Sequence, residues 1–138
     1  MSPSRAALFS KAERGITAAF LAYASWFTLR YLLIAAGTVP YPYQLEWMEG
    51  GILETVARVG NGEPLYVAPS IDYVSYVYTP LYYYLGALFT AIGGLALPPL
   101  RLLSLLATLA TSILITLFIH RETGSKKWAA LGAPLFLA

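Results

Sequence analysis

Cysteine is absent from this sequence, and histidine occurs only once, at position 120. These two absences exclude a disulfide framework, a thiolate metal site and a histidine-rich metal site. Charged residues are also scarce: they make up 12% of the chain, whereas about a quarter is usual in a globular domain. The nine Lys and Arg residues are dispersed, so no basic stripe suits a nucleic acid, and none is expected as a partner.

Apolar and aromatic residues take the place of the missing charge. Hydrophobic residues form 58% of the 138 positions, and the mean hydropathy is +0.62. This composition rules out both a disordered tail and an ordinary water-soluble domain. Of the 11 tyrosines, nine lie between Tyr41 and Tyr84. The tyrosine cluster therefore marks this stretch as distinct from the rest of the chain.

Two apolar runs have the length of a membrane-spanning helix. Residues 16–39 contain Arg30 as their single charge, and residues 100–119 form a second run with Arg101 at its start. A spanning helix needs about 20 such residues, whereas the core of a signal peptide has only about 7–15. We therefore predict two spanning helices here, and the start of a third at Trp128.

The third apolar run, residues 128–138, has 11 residues and no charged residue after it. This is about half of what a spanning helix needs. We expect the chain to be the N-terminal part of a longer polytopic membrane protein. The alternative is a natural small protein that ends in a half-helix.

A short amphipathic helix is predicted over residues 46–59. An apolar stripe recurs there at spacings of three and four, which is helical periodicity. Glu54 and Arg58 have the spacing of an i,i+4 ion pair, and Gly60 and Gly62 should end the helix. The stripe consists of Leu45, Met48, Ile52, Val56 and Val59.

A second short helix is predicted over residues 80–93. Residues 81–97 are apolar, but Gly93 and Gly94 interrupt the helical pattern after about 13 residues, which is too short to span a bilayer. We expect both short helices to lie on the membrane surface.

The positions of basic residues predict the orientation of the chain. The N-terminal segment, residues 1–15, is basic, and Arg121, Lys126 and Lys127 follow the second span. Because basic segments stay in the cytoplasm, both ends should be inside, which requires an even number of crossings.

The predicted fold is an all-α integral membrane protein of the cell membrane. It is a multi-pass polytopic helical bundle with a cytoplasmic N-terminus, and its outer loop, residues 40–99, carries the juxtamembrane amphipathic helices.

Glu46 and Glu49 are the acidic residues of greatest chemical interest. They lie three residues apart beside the apolar stripe, and Gly50 and Gly51 should leave the backbone there open to a ligand. Such carboxylates can act as a general base, can hold one divalent cation together, or can simply be the solvated face of an interfacial helix.

The aromatic residues and Arg101 allow two interpretations each. The tyrosines and Trp47 fit an aromatic belt at the membrane interface, or they stack on a sugar ring. Tyr82, Tyr83 and Tyr84 cannot share one helix face, so some should pack on neighbouring elements. Arg101 either pairs with an acid of the loop or contacts a phosphate.

The outer loop resembles the N-terminal region of GT-C membrane glycosyltransferases, especially the protein mannosyltransferase and aminoarabinose transferase group. The resemblance covers roughly residues 16–138. The elements that carry it are, in chain order, Tyr41-Pro-Tyr-Gln-Leu-Glu-Trp-Met-Glu-Gly50, Arg58, Gly62-Glu-Pro-Leu-Tyr66, Tyr78-Thr-Pro-Leu-Tyr82 and Arg101-Leu-Leu-Ser104.

The resemblance implies a transferase that moves a sugar from a polyprenyl-phosphate donor to a glycan, lipid or protein acceptor at the outer face of the membrane. It implies many more spans, so the chain alone is not expected to be active. The acidic motif of the family falls on Glu46 and Glu49, which are the implied catalytic residues, with a divalent cation as an optional cofactor between them. The implied substrate-binding residues are Trp47, Arg58, Tyr66, Tyr78 and Arg101.

A non-catalytic polytopic membrane protein, such as a transporter fragment or a structural subunit, is the alternative function. Transporters usually carry polar or broken segments within paired spans. This chain instead concentrates its acids between the spans, which favours the transferase.

The two-crossing topology predicts which positions an impermeant reagent reaches. Because the chain has no cysteine, Ser70→Cys and Ser125→Cys each introduce a single reactive thiol. In sealed cells, an impermeant maleimide should label position 70 and leave position 125 unlabelled. Labelling of position 125 from outside would contradict the topology.

Overall fold

The computed structural model describes the backbone of residues 3–137 and the side chains of residues 11–137. Over this range the regular structure is entirely helical, which confirms the predicted all-α class. Met1 and Ser2 of the basic N-terminal segment, and Ala138 at the end of the third apolar run, lie outside the described residues. The helices are α1 (Pro3–Thr38), α2 (Met48–Gly60), α3 (Pro80–Gly93), α4 (Leu97–Thr123) and α5 (Lys126–Leu137).

Two of the helices are long and apolar enough to cross a membrane. They are Lys11–Thr38 within α1, with a hydropathy of 1.4, and Leu97–Thr123, with a hydropathy of 2.4. Only 6% and 11% of their most apolar stretches are buried, so both helices leave most of this apolar surface uncovered in the described part of the chain. Extended apolar surface of this kind favours association with a membrane. The predicted span 100–119 lies inside α4, which extends beyond it at both ends. The predicted span 16–39 lies in α1 except for Val39, because the helix ends at Thr38.

The described chain forms two compact units. In the first, which contains α1 up to Ile34 and the chain from Thr108 onward, α5 packs closely on α4. A Cβ atom at Gly132 would lie 2.6 Å from Cδ1 of Ile119. The loop between these helices is shorter than predicted, because α5 begins at Lys126, two residues before the predicted start.

The second unit, Ala35–Ala107, contains α2, α3 and the linker segments around them. Its core consists of Val56, Leu65, Tyr83 and Leu100. The predicted stripe is correct within α2, because Ile52 and Val59 pack against this core together with the buried Val56. The stripe fails at Leu45, which is 55% exposed and precedes the helix.

α2 begins at Met48, two residues later than predicted. The carboxylate of Glu46 accepts a hydrogen bond from the N–H of Met48 at 3.0 Å, so Glu46 lies ahead of the first turn. By contrast, α3 has the predicted bounds. It opens with Pro80, a residue favoured in the first turn, and ends at Gly93 before Gly94, whose φ is +84°.

The predicted ion pair between Glu54 and Arg58 is wrong. Nη1 of Arg58 lies 2.8 Å from Oε2 of Glu63, and its guanidinium lies 4.2 Å from the centre of the Tyr73 ring. The turn after α2, in which Gly62 has a φ of +75°, brings Glu63 back to the helix. Glu54 is left exposed.

The three consecutive tyrosines of α3 have different surroundings, as predicted. Tyr83 is 1% exposed and Tyr84 is 59% exposed. The hydroxyl of Tyr82 donates to the carbonyl of Leu100 at 3.3 Å. The buried hydroxyl of Tyr83 has no hydrogen-bond partner among the described residues, and desolvation raises the pKa of this phenol.

The unpaired hydroxyl of Tyr83 predicts an unusual response to substitution. A buried donor without a partner costs about 1–3 kcal/mol. Tyr83→Phe should therefore raise the free energy of unfolding by about 1 kcal/mol, whereas Tyr83→Ala should lower it by about 3–5 kcal/mol. Thermal unfolding in detergent micelles measures both. A clear loss of stability in the Phe variant would mean that the hydroxyl is hydrogen-bonded.

Candidate functional site

An ion pair between Arg101 and Glu49 joins the start of α4 to the first turn of α2. Nε of Arg101 donates to Oε1 of Glu49 at 2.9 Å, and Nη2 donates to Oε2 at 2.7 Å. The two side chains are only 11% and 21% exposed. Two parallel bonds of this kind are the strongest arrangement for an arginine and a carboxylate.

Arg101 also binds three backbone carbonyl groups. Nη1 donates to the carbonyl of Thr38 at 2.9 Å and to that of Tyr41, and Nη2 donates to the carbonyl of Tyr43 at 2.8 Å. A guanidinium has five N–H donors, and here each of them has an acceptor within the chain. Arg101 therefore pairs with an acid of the loop, which was one of its two predicted roles.

Glu49 is a carboxylate stabilised in its charged form. The hydrogen bonds from Arg101 lower its pKa below the usual value of 4.5, while burial acts in the opposite direction. The N–H of Leu45 donates to Oε2 at 2.7 Å, which lowers the pKa further. A carboxylate with a lowered pKa is a weaker general base.

Glu46 has a different environment from Glu49, although both were predicted to lie on one side of the helix. It is exposed, and among the described residues only its Oε2 accepts a hydrogen bond, the one from Met48. Its position just before α2 suits an acid, because the N-terminus of a helix carries partial positive charge. The structure thus separates an exposed acid from an ion-paired one.

A divalent cation held between the two glutamates stays a prediction. Both oxygens of Glu49 accept hydrogen bonds from Arg101. In the part of the chain that the structure describes, no three His, Cys, Asp or Glu residues are grouped so that they could hold a metal ion.

Gly50 and Gly51 are not open to a ligand, contrary to the prediction. A Cβ atom at Gly50 would collide with the side-chain amide of Gln44, and one at Gly51 would collide with the ring of Tyr76. The two glycines do permit another group to come close to the backbone, but that group is a side chain of the same chain. Gln44 and Tyr76 were not predicted, and the glycine pair was the only sign of them in the sequence.

Aromatic residues surround the start of α2. The rings of Tyr76 and Tyr78 are stacked, with their centres 6.2 Å apart, and the hydroxyl of Tyr78 lies 3.9 Å from Sδ of Met48. The hydroxyl of Tyr66 donates to the carbonyl of Tyr78, so Tyr66 braces this loop. Trp47 is 74% exposed and Tyr78 is 53% exposed, which leaves ring surface available near the start of α2.

Arg58 was also predicted as a site residue, but it lies at the opposite end of α2 from Glu49. It lies in the last turn of α2, and Glu49 lies in the first. Nine residues of helix separate them, or about 14 Å at 1.5 Å per residue. Arg58 contacts Glu63 and Tyr73 instead, and both contacts stabilise the turn that follows α2.

Comparisons of this chain with protein-family models, with curated proteins and with solved structures find no match.

The lowered pKa of Glu49 predicts a pH dependence of stability. A carboxyl group whose pKa is lower in the folded state stabilises the fold above its unfolded pKa, and the effect is lost as the pH falls through the folded value. Near pH 7, Glu49→Gln should therefore cost about 1–3 kcal/mol.

Thermal unfolding in micelles between about pH 7 and pH 3 tests this dependence. The difference between the unchanged chain and the Glu49→Gln variant should shrink below the usual pKa of 4.5. Glu54→Gln removes an exposed acid and is the matched control. A difference that stays constant over this range would contradict the role assigned to the ion pair.

Proposed function

We propose that this chain is part of a membrane glycosyltransferase that takes a sugar from a polyprenyl-phosphate donor. The acceptor is a glycan, a lipid or a protein at the outer face of the membrane. The observation that carries the proposal is the exposed carboxylate of Glu46, held just before α2 and followed in the chain by the exposed Trp47. The linker that bears it follows α1, which is long and apolar enough to span a membrane.

The proposed topology places this site outside the cell. The N-terminus lies in the cytoplasm, α1 and α4 cross the cell membrane, and residues 40–99 remain on the outer side. The basic residues Arg121, Lys126 and Lys127 support this orientation, because such residues stay in the cytoplasm. A lipid-linked donor then presents its sugar at the same membrane surface as α2.

In the proposed reaction, a hydroxyl of the acceptor attacks the anomeric carbon of the donor sugar. A new C–O bond forms while the bond to the phosphate oxygen breaks, and the polyprenyl phosphate leaves with the bonding electrons. Glu46 accepts the proton of the attacking hydroxyl, and the configuration at the sugar carbon is inverted. A leaving phosphate is already stabilised as an anion, so the step needs a base more than an acid.

The aromatic residues near Glu46 support a carbohydrate substrate. Trp47 and Tyr78 are largely exposed, and each offers a broad apolar ring face together with one polar N–H or O–H group. Such surfaces suit the two faces of a sugar ring. Because the stacking of Tyr76 on Tyr78 and the hydrogen bond from Tyr66 hold this loop in place, the ring of Tyr78 is preorganised.

We expect replacement of Glu46, the proposed base, to cause a large loss of sugar transfer. Glu46→Gln keeps the size and the polarity of the side chain but cannot take up the proton, so the rate should fall by about 10²–10⁴. Glu54→Gln changes an exposed acid of α2, the helix that follows Glu46, and should have no effect. Both variants of the full-length protein should insert into the membrane normally.

The gene is deleted, and each variant is expressed in its place. Mass spectrometry of lipid-linked sugars and glycans then measures the result. With Glu46→Gln, the lipid-linked donor should accumulate and the product should disappear. If the glycans stay the same with and without the gene, the chain is not a glycosyltransferase. If Glu46→Gln is as active as Glu54→Gln, the base lies elsewhere.

A further inference from the structure

The hydrogen bonds of Arg101 bear on whether this residue can bind the phosphate of a donor. An arginine that holds a phosphate directs two or more N–H groups at it. In this chain all five N–H groups of Arg101 are directed at Glu49 and at the carbonyl groups of Thr38, Tyr41 and Tyr43. A phosphate would have to displace contacts that already satisfy a largely buried side chain.

The five acceptors lie on both sides of Glu46. Thr38 is the last residue of α1, Tyr41 and Tyr43 belong to the linker before Glu46, and Glu49 follows it in the first turn of α2. Arg101 is 52 residues away from Glu49 in the sequence. One side chain of α4 therefore holds both ends of the segment that carries the proposed base.

Glu49 adds a second constraint on the same segment. Besides binding Arg101, its Oε2 accepts the N–H of Leu45 at 2.7 Å, and the N–H of Glu49 donates to the carbonyl of Glu46 at 3.2 Å. The residue before Glu46 and the carbonyl of Glu46 itself are thereby tied to the ion pair. The backbone at Glu46 has little freedom while the pair is formed.

We propose that Arg101 and Glu49 are positioning residues that hold the backbone around Glu46 in place for proton transfer, and that Arg101 is not a ligand of the donor phosphate. This inference rests on the proposed function, because it concerns the same reaction. Misplacing a reacting group by about 1 Å can cost about 10²-fold in rate. Loss of the pair should therefore lower kcat, while KM for the lipid-linked donor stays the same.

A double-mutant cycle in the full-length protein tests the inference. Glu49→Gln, Arg101→Gln and the double variant should each lower kcat by about 10²-fold. The double variant should be no worse than either single one, because coupled residues are not additive. Arg101→Lys should behave like Arg101→Gln, because an ammonium group has only three N–H donors for the five acceptors that Arg101 binds. Glu63→Gln also breaks an ion pair with an arginine and is the matched control.

Hydrogen exchange gives a second measurement that does not depend on activity. Mass spectrometry of the peptide covering residues 39–49 should show faster exchange in the Glu49 and Arg101 variants, and unchanged exchange in Glu63→Gln. A phosphate ligand would behave differently. Arg101→Lys would then keep most of the activity, Arg101→Gln would raise KM for the donor, and exchange in this peptide would not change.

The outcomes separate this inference from the proposed function. If Glu46→Gln is inactive but the Arg101 and Glu49 variants keep normal kcat, the positioning role is wrong and the transferase stands. If hydrogen exchange accelerates in the Arg101 and Glu49 variants but the protein without substitutions transfers no sugar, the proposed function is wrong. The positioning role, which depends on that function, is then wrong as well. Faster exchange together with a lower kcat and an unchanged KM supports both.

Discussion

The ion pair between Arg101 and Glu49 organises the second compact unit. Charges removed from water are costly unless they are paired and their remaining hydrogen-bonding groups are satisfied. Here the pair is bidentate, the other three donors of the guanidinium reach carbonyl groups, and the carboxylate also accepts an amide. In a chain with only 12% charged residues, a largely buried pair of this quality joins α2 to α4 and orders the linker between α1 and α2.

The sequence predicts the helices well where local rules decide them. The length of the apolar runs identifies both long helices, and the glycines after position 92 give the end of α3 at Gly93. The structure has α2 begin at Met48 with Trp47 as its N-cap residue, two residues later than predicted, and Glu46 lies before the helix. Periodicity does not reveal which residue accepts the first hydrogen bond of a turn.

Contacts between distant residues were not predictable from spacing. Glu54 and Arg58 have the right separation for a helical pair, yet Arg58 binds Glu63 and the face of Tyr73, because the turn after α2 brings both of them nearer. Gly50 and Gly51 correctly indicated a close approach, but a glycine gives no information about what approaches it. Gln44 and Tyr76 do so here, and the sequence did not single out either one as a neighbour of the glycines.

The candidate site shows the same division between local and distant information. Spacing made Glu46 and Glu49 equivalent, and it left Arg101 with two roles. Only the fold separates the exposed acid from the paired one, because the distinction depends on a residue 52 positions away. The chemical difference between two similar glutamates therefore comes from their surroundings rather than from the motif that contains them.

Three of the five acceptors of Arg101 are main-chain carbonyl groups. Every amino acid has such a group, proline included, so side-chain identity at positions 38, 41 and 43 does not affect whether the acceptor is present. A substitution at any of those three positions therefore keeps the acceptor in place, whereas a substitution of Arg101 or Glu49 removes one side of the ion pair. The outer surface of the linker can thus change without loss of the hydrogen bonds that attach it to α4.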